Sequence, residues 1–473
     1  MGKILLQGGT LVSAEETVQK DVLIDGETIA AVEDRIHDPE AVRIDISRKL
    51  LMPGGIDPHT HFDLPMFNTV SSDDHYTGHK AAAFGGTTTV MDFVPHEGGD
   101  LLECVSQWRA RAAGKAAIDY SFHMNITHWD EGVRGQIPDL LEMGIPTLKV
   151  FTAYNDRLRL DDGEIFQVMR LARDLGMLPM LHAENGDVIE LLVREALAEG
   201  HTSPIWHART RPAWGAVESV LRGISLAAMA ESSVYIVHMN TAGGLDQVRY
   251  GREHGLAVMG ETCPQYLFFN IEQLGRPDGA KWICSPPMRT EGDNQALWEG
   301  LGDGSLQVVG TDHCPFFFDG TTPIEYEGQP VAIPGKEMGA DDFTKIPNGV
   351  PAVGDRLPVL WTYGVGSGRI TPNQFVALTS TNAARIFGLY PRKGSLRVGA
   401  DADLVVWDED RELTYGVKYA HHRTDYNLWE GYALKGFPEM VLLRGELIVD
   451  GDRWLGQPGM GRFLPREPGA EIV

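Results

Sequence analysis

Metal-type side chains recur at the ends of strand-like runs in this chain. They stand in Asp57-Pro-His59-Thr-His61, Lys149-Val-Phe-Thr-Ala-Tyr154, His182-Ala-Glu184, His238 and Thr311-Asp312-His313. In a strand, residues two apart point to the same side, so His59 and His61 converge. Four histidines, an aspartate and a lysine suggest two divalent cations, with a modified lysine between them. Such a centre suits attack of a metal-held hydroxide on an amide-like carbonyl.

Each candidate also has a bland reading. His59 and His61 would otherwise be packed histidines, and His182 and His238, ending Met180-Leu-His and Ile236-Val-His, satisfied core histidines. Lys149 lies inside Thr147-Leu-Lys-Val-Phe151, where a charge is costly to bury. An ion pair with a nearby carboxylate is one solution. The sharper one is reaction of the amine with carbon dioxide, giving an anionic carbamate able to bridge two cations. Asp312 ends Val309-Gly-Thr-Asp, and its neighbour His313 points the other way if the strand continues, so Asp312 is the preferred ligand. His75, His79, His96, His123 and His128 lack this placement, although His123 lies near a strand. The mixed nitrogen and oxygen set suits zinc; manganese or cobalt also fits.

These residues need a frame that gathers strand ends. Apolar strands are expected at 55–60, 87–93, 118–125, 146–151, 178–182, 234–238, 256–261 and 306–311, alternating with helices at 73–84, 101–114, 162–175, 186–198, 213–231 and 243–254. The fold class is therefore α/β. Eight such units fit a (β/α)8 TIM-like barrel, whose sites lie at the C-terminal strand ends. An open doubly wound sheet is the alternative, but no Gly-rich phosphate loop follows the first strand. Residues 1–52 and 389–455 read as β and form a small β-sandwich domain from both chain ends around a barrel at 53–388. Residues 456–473 form an extended arm. The segment 313–348 shows no periodicity and reads as a pocket or subunit loop. Residues 371–388 read as a helix capped at Thr371.

Composition limits the partners. The chain has 473 residues, 43% hydrophobic and 23% charged, with a formal net charge of −25. That balance speaks against a basic nucleic-acid face. No run approaches a membrane span. Four scattered cysteines, at 104, 263, 284 and 314, read as reduced thiols of a cytoplasmic protein.

The sequence resembles the hydantoinase and dihydropyrimidinase branch of the amidohydrolase superfamily over nearly its whole length. The resemblance rests on Gly55-Ile-Asp-Pro-His-Thr-His61, Ser72-Asp-Asp74, Ala83-Phe-Gly-Gly-Thr-Thr-Thr89, Lys149-Val-Phe-Thr-Ala-Tyr154, His182-Ala-Glu-Asn185, Cys284-Ser-Pro-Pro287, Thr311-Asp-His-Cys-Pro315 and Lys345-Ile-Pro-Asn-Gly349. It implies one cation held by His59, His61, carboxylated Lys149 and Asp312, and another by Lys149, His182 and His238. It implies that Tyr154 donates to the oxyanion, while Ser285 and Asn348 hold the imide edge of the ring through backbone groups. It also implies a cytosolic homotetramer.

The expected reaction is then hydrolytic ring opening of a cyclic amide, a 5-substituted hydantoin or a dihydropyrimidine, to an N-carbamoyl amino acid, with Asp312 moving the proton. Phe62, Met66, Phe67, Leu158 and Leu160 are candidates to enclose a substrate side chain. Arg157 and Arg159 leave room for an allantoinase-like or cyclic-imide activity. The alternative of another class is a noncatalytic dihydropyrimidinase-related scaffold, but those proteins lack part of the metal set that is complete here. Two departures from the branch stand out: Gly354 where glutamate is usual, and an insertion around Tyr326-Glu-Gly-Gln-Pro-Val331. Neither removes a metal ligand.

Overall fold

A computed structural model describes residues 2–66, 68–96 and 98–469. Its centre is an eight-stranded parallel sheet in strict chain order. The strands are β1 (Gly55–Thr60), β2 (Thr87–Val94), β3 (Asp119–Asn125), β4 (Thr147–Phe151), β5 (Leu178–His182), β6 (Val234–Ile236), β7 (Val258–Thr262) and β8 (Val308–Val309). Every residue of β2 is buried, as expected of a parallel sheet covered on both faces. Between β8 and β1 the ring is joined by side chains and one short bridge. The His61 N–H donates to the His313 carbonyl at 2.8 Å. Asp57 accepts from the Thr311 amide at 3.1 Å and its hydroxyl at 2.6 Å. The buried Arg356 guanidinium donates to the carbonyls of Ile56 and Val309. This is the expected barrel.

The crossover helices carry their own stop and start signals. Helix Asp162–Leu175 opens on a capping box between Asp161 and Glu164 and closes on Gly176 at φ 70°. Helix Gly186–Ala198 starts where Asn185 accepts from the Val188 amide. The helix expected from residue 73 begins only at Thr77, because Asp74 accepts the amides of Tyr76 and Thr77 in a preceding turn. Strands six and eight stop short of their expected ends, where His238 and Asp312 turn to φ 40° and 53°.

Both parts of the chain outside the barrel contribute to the small β domain. Its seven-stranded sheet places Leu50–Pro53 between Thr10–Val12 and Leu404–Thr414. A four-stranded sheet from residues 3–45 packs on it around Leu6, Ile24, Leu51 and Val406. The segment 313–348 contains a hairpin, Ile324–Tyr326 with Gln329–Val331, whose strands are too short to show alternation. In 372–386 a capping box at Thr371 and Gln374 starts the helix, and one wide turn, 377–381, interrupts it. Among the described residues, no helix is long and apolar enough to cross a membrane.

Candidate active site

All six expected metal residues line one cavity of about 530 Å³ at the C-terminal mouth of the barrel. Asp312 Oδ1 lies 3.1 Å from His59 Nε2 and 3.0 Å from His61 Nε2. His59, His61 and Asp312 can each present a ligand atom within 4.8 Å of the others. His182 Nδ1 lies 3.0 Å from His238 Nε2, and the His59 and His238 rings are 5.5 Å apart. The Lys149 amine is buried over the Phe93 ring, 4.6 Å from its centroid. Among the described residues, His61 Nδ1 is buried without a hydrogen-bond partner and His59 Nε2 makes no hydrogen bond beyond its 3.1 Å approach to Asp312. Imidazole nitrogens and a carboxylate oxygen converging in this way fit a divalent cation.

Glu261, at the end of β7, supports this set. It receives His59 Nδ1, the His238 amide at 3.3 Å and the Tyr235 hydroxyl at 3.0 Å. A carboxylate on the far nitrogen fixes the tautomer and aims the near one. The excluded histidines have other employment. His123 bridges Thr147 Oγ1 at 2.7 Å and the Pro58 carbonyl at 3.0 Å. His313 turns away to Asp73 at 3.2 Å.

Tyr154 follows β4 with φ 66°, and its carbonyl accepts the Leu158 amide at 3.0 Å. Its ring stacks obliquely beside His182, 5.1 Å between centroids. Opposite it, Asn348 Nδ2 donates to Ser285 Oγ at 3.1 Å. Two contacts pin the loops that carry these residues. The Gly349 amide donates to the Ile283 carbonyl at 3.0 Å, an approach only glycine permits because a Cβ would meet the Cys314 carbonyl at 2.2 Å. The buried Lys336 amine donates to the carbonyls of Ile283 and Pro347.

A family model described as "Amidohydrolase family" matches residues 50–448. A D-hydantoinase of Geobacillus stearothermophilus is 42% identical over 466 residues, 98% of this chain and 96% of the relative. A dihydropyrimidinase of Dictyostelium discoideum is 37% identical, over 99% of this chain and 91% of the relative. The crystal structure of a dihydropyrimidinase from Brevibacillus agri aligns with a TM-score of 0.94 at 43% identity, over 99% of this chain and 100% of that one. The chain is an amidohydrolase of the hydantoinase and dihydropyrimidinase branch. It is accordingly a metal-dependent enzyme that hydrolyses cyclic amides.

In this amidohydrolase the buried groups tune one another. Burial opposes charge on His59, but Glu261 and Asp312 outweigh it and raise its pKa to about 9 in the metal-free chain. Burial lowers the Lys149 amine to about 8. Burial also pushes His182 down and His238 well down, leaving neutral imidazoles of the kind that metals need. The Tyr154 phenol is held well above its usual range by burial and by Glu184, so it stays a donor.

The apolar side of the pocket differs from expectation. Met66 and Leu158 line it, as do Leu64, Phe151 and Val193. Phe62 does not: it is fully buried against His75, His79 and His313. Leu160 is likewise in the core, because its amide bonds the Phe151 carbonyl and draws it inward. Phe67 lies outside the described residues. Arg157 faces the cavity, whereas Arg159 is tied to Asn155 and Asp187. Gly354 leaves room for the Ala420 carbonyl, 2.7 Å from where its Cβ would stand, and its amide donates to His422. The departure therefore alters packing behind the site. Glu261 was not anticipated. Its only sequence signal is an acid at the end of β7, one of three barrel strands, with β2 and β3, that carry no expected site residue.

Proposed function

We propose that this site opens 5-substituted hydantoins and dihydropyrimidines, using two divalent cations that share a carboxylated Lys149. The observation that carries this reading is Lys149, buried without an ion-pair partner among the described residues, in one cavity with His59, His61, His182, His238 and Asp312. Its lowered pKa leaves neutral amine near neutral pH, the form that reacts with carbon dioxide. His59, His61 and Asp312 would hold one cation and His182 and His238 the other, with zinc the best match to the donors. Cations bound there supply a nucleophile at neutral pH and polarise the scissile carbonyl.

The chain's own groups do the rest. Asp312 accepts the proton of the attacking water and returns it to the leaving ring nitrogen. The Tyr154 hydroxyl donates to the oxygen that becomes negative. Main-chain groups at Ser285 and Asn348 align the imide edge of the ring. The wall formed by Leu64, Met66, Phe151 and Leu158 takes the ring substituent and excludes water. The product is an N-carbamoyl amino acid. Arg157 on the cavity wall favours a second reading, a more polar ring such as allantoin.

The same proposal includes a homotetramer in the cytoplasm. Val188, Leu191 and Leu197 on one helix, with Trp214, Leu221 and Met229 on another, are exposed apolar side chains suited to subunit contact. Cys263, Cys284 and Cys314 are buried and unlinked, which suits a reducing compartment.

Metal-reconstituted protein should be assayed on both enantiomers of phenylhydantoin, dihydrouracil, allantoin and a simple cyclic imide. Metal content and the mass of the Lys149 peptide should be measured in the same preparation. Turnover of hydantoin or dihydrouracil with a carboxylated lysine supports the reading. An unmodified amine in fully active protein rejects the lysine bridge, and turnover confined to allantoin favours the second reading.

A further inference from the structure

We propose that Lys336 is a positioning residue whose buried amine sets the spacing of the two main-chain segments that clasp the ring, and so governs ring affinity. The inference rests on the reading that main-chain groups at Ser285 and Asn348 align the imide edge. It adds a residue that stands behind the cavity wall instead of on it.

Ser285, Asn348 and Gly349 line the cavity, and Lys336 does not. Lys336 is 1% exposed, and its ammonium can only donate. Nζ lies 3.0 Å from the Ile283 carbonyl and 3.1 Å from the Pro347 carbonyl. Ile283 stands two residues before Ser285, and Pro347 immediately before Asn348. One amine therefore ties together the two segments that present the clasp. The Ile283 carbonyl also accepts the Gly349 amide at 3.0 Å. Asn348 is thus anchored on both sides, at Pro347 through Lys336 and at Gly349 directly, and both anchors lead to the same Ile283 oxygen. The side chains close the gap above them, where Asn348 Nδ2 donates to Ser285 Oγ at 3.1 Å.

Lys336 is fixed in its turn. Its amide donates to the Phe317 carbonyl at 2.7 Å. The next residue, Glu337, accepts the amides of Gly320 and Gly335 at 3.0 Å each. These bonds close the base of the 318–335 excursion, so the lengthened loop of this chain ends on the brace of the site. Without the amine, two buried carbonyl oxygens that converge on one nitrogen would lose their shared donor and repel each other. Asn348 would then be free to pivot about Gly349. A clasp of one donor and one acceptor works only while its spacing holds to within about 0.5 Å. Because it grips the ring before and during reaction, its loss raises KM more than it lowers kcat.

The test uses holoenzyme of measured metal content, with phenylhydantoin and dihydrouracil as substrates. Lys336→Met removes the amine at similar volume and should raise KM by about tenfold or more, while kcat falls by less than about threefold. Acetohydroxamate, which chelates the cations and offers no ring, should inhibit parent and variant with constants within about twofold of each other. Lys336→Gln keeps an N–H pair one atom short of both carbonyls and should raise KM by about threefold, which covers the case in which Lys336→Met fails to fold. Parental KM in Lys336→Met, or in Lys336→Gln where the first variant does not fold, would overturn the brace. So would a hydroxamate constant that rises in step with KM, or a loss of kcat as large as the rise in KM. Failure of the parent enzyme to open either ring would instead remove the reading on which the inference rests.

Discussion

Lys393 and Lys149 are both buried lysines beside barrel strands, one against the start of β3 and one lining the mouth cavity from β4, and their surroundings are opposite. Lys393 lies 2.7 Å from Asp119 and 2.6 Å from Asp403. Burial opposes its charge, yet these carboxylates raise its pKa to about 12. Lys149 has no ion-pair partner among the described residues, and burial lowers it to about 8. The same contrast extends to their neighbours. Beneath the barrel, Arg466 donates to Ser121, Phe122 and Thr147 through Nε and Nη2, while its Nη1 is buried without a partner among the described residues. At the mouth, His61 Nδ1 and Glu184 Oε1 are buried with no hydrogen-bond partner among the described residues, and His59 Nε2 meets only the Asp312 carboxylate. Buried polarity that is closed upon itself holds the fold together. Open buried atoms that converge on one cavity, as those of His59, His61 and Glu184 do, mark where a ligand belongs.

The largest expected effect is at the mouth. Lys149→Ala should cost bound metal and lower kcat by about a thousandfold or more, since the polarising charge is worth several kcal/mol. Its folded content by circular dichroism should stay near the parent. Retained metal and rate would erase the contrast between the two lysines.

Lys393→Met should show the converse. Removing the lysine from this buried ion cluster leaves Asp403 without a cation and Asp119 with Arg444 alone, a loss of about 3–5 kcal/mol in denaturant unfolding. Metal content and kcat of the folded fraction should not change. A fall in kcat with full metal would mean that the base of the barrel also sets the chemistry.

Tyr154→Phe should keep its bound metal and lower kcat by about 10²–10³-fold, or 2.7–4 kcal/mol. Equal kcat would show the phenol to be packing alone. Glu261→Gln should have the smallest effect, weakening metal affinity by about 10–100-fold, as read by competition with a chelator. It tests whether the closed interior just below the mouth supports the open atoms above it. Unchanged affinity would make Glu261 a purely structural partner of Tyr235.

The sequence made the candidate metal residues, which share one cavity, legible because strand periodicity and strand ends are local properties. His59 and His61 share a face by spacing, and His182, His238 and Asp312 each terminate an apolar run. The barrel was legible for the same reason. Groups that act through tertiary contact were not. Glu261 gains meaning only beside His59, and Arg466 only where the chain passes under β3 and β4. Phe62 and Leu160 had the right composition and neighbourhood for the pocket, but side-chain direction in a loop follows from hydrogen bonds such as that of the Leu160 amide. The 324–331 hairpin was silent because three-residue strands are too short for alternation to register.

The seven-stranded sheet has a consequence for the order in which the protein is made. Leu50–Pro53 pairs on one side with Thr10–Val12, which precedes it, and on the other with Leu404–Trp407, which leaves the ribosome only after the whole barrel sequence. During synthesis that second edge stands open while the barrel strands emerge one by one. An unpaired apolar edge is a template for the wrong strand, including the same edge on a neighbouring nascent chain. The small domain is thus begun before the barrel is translated and completed only after it.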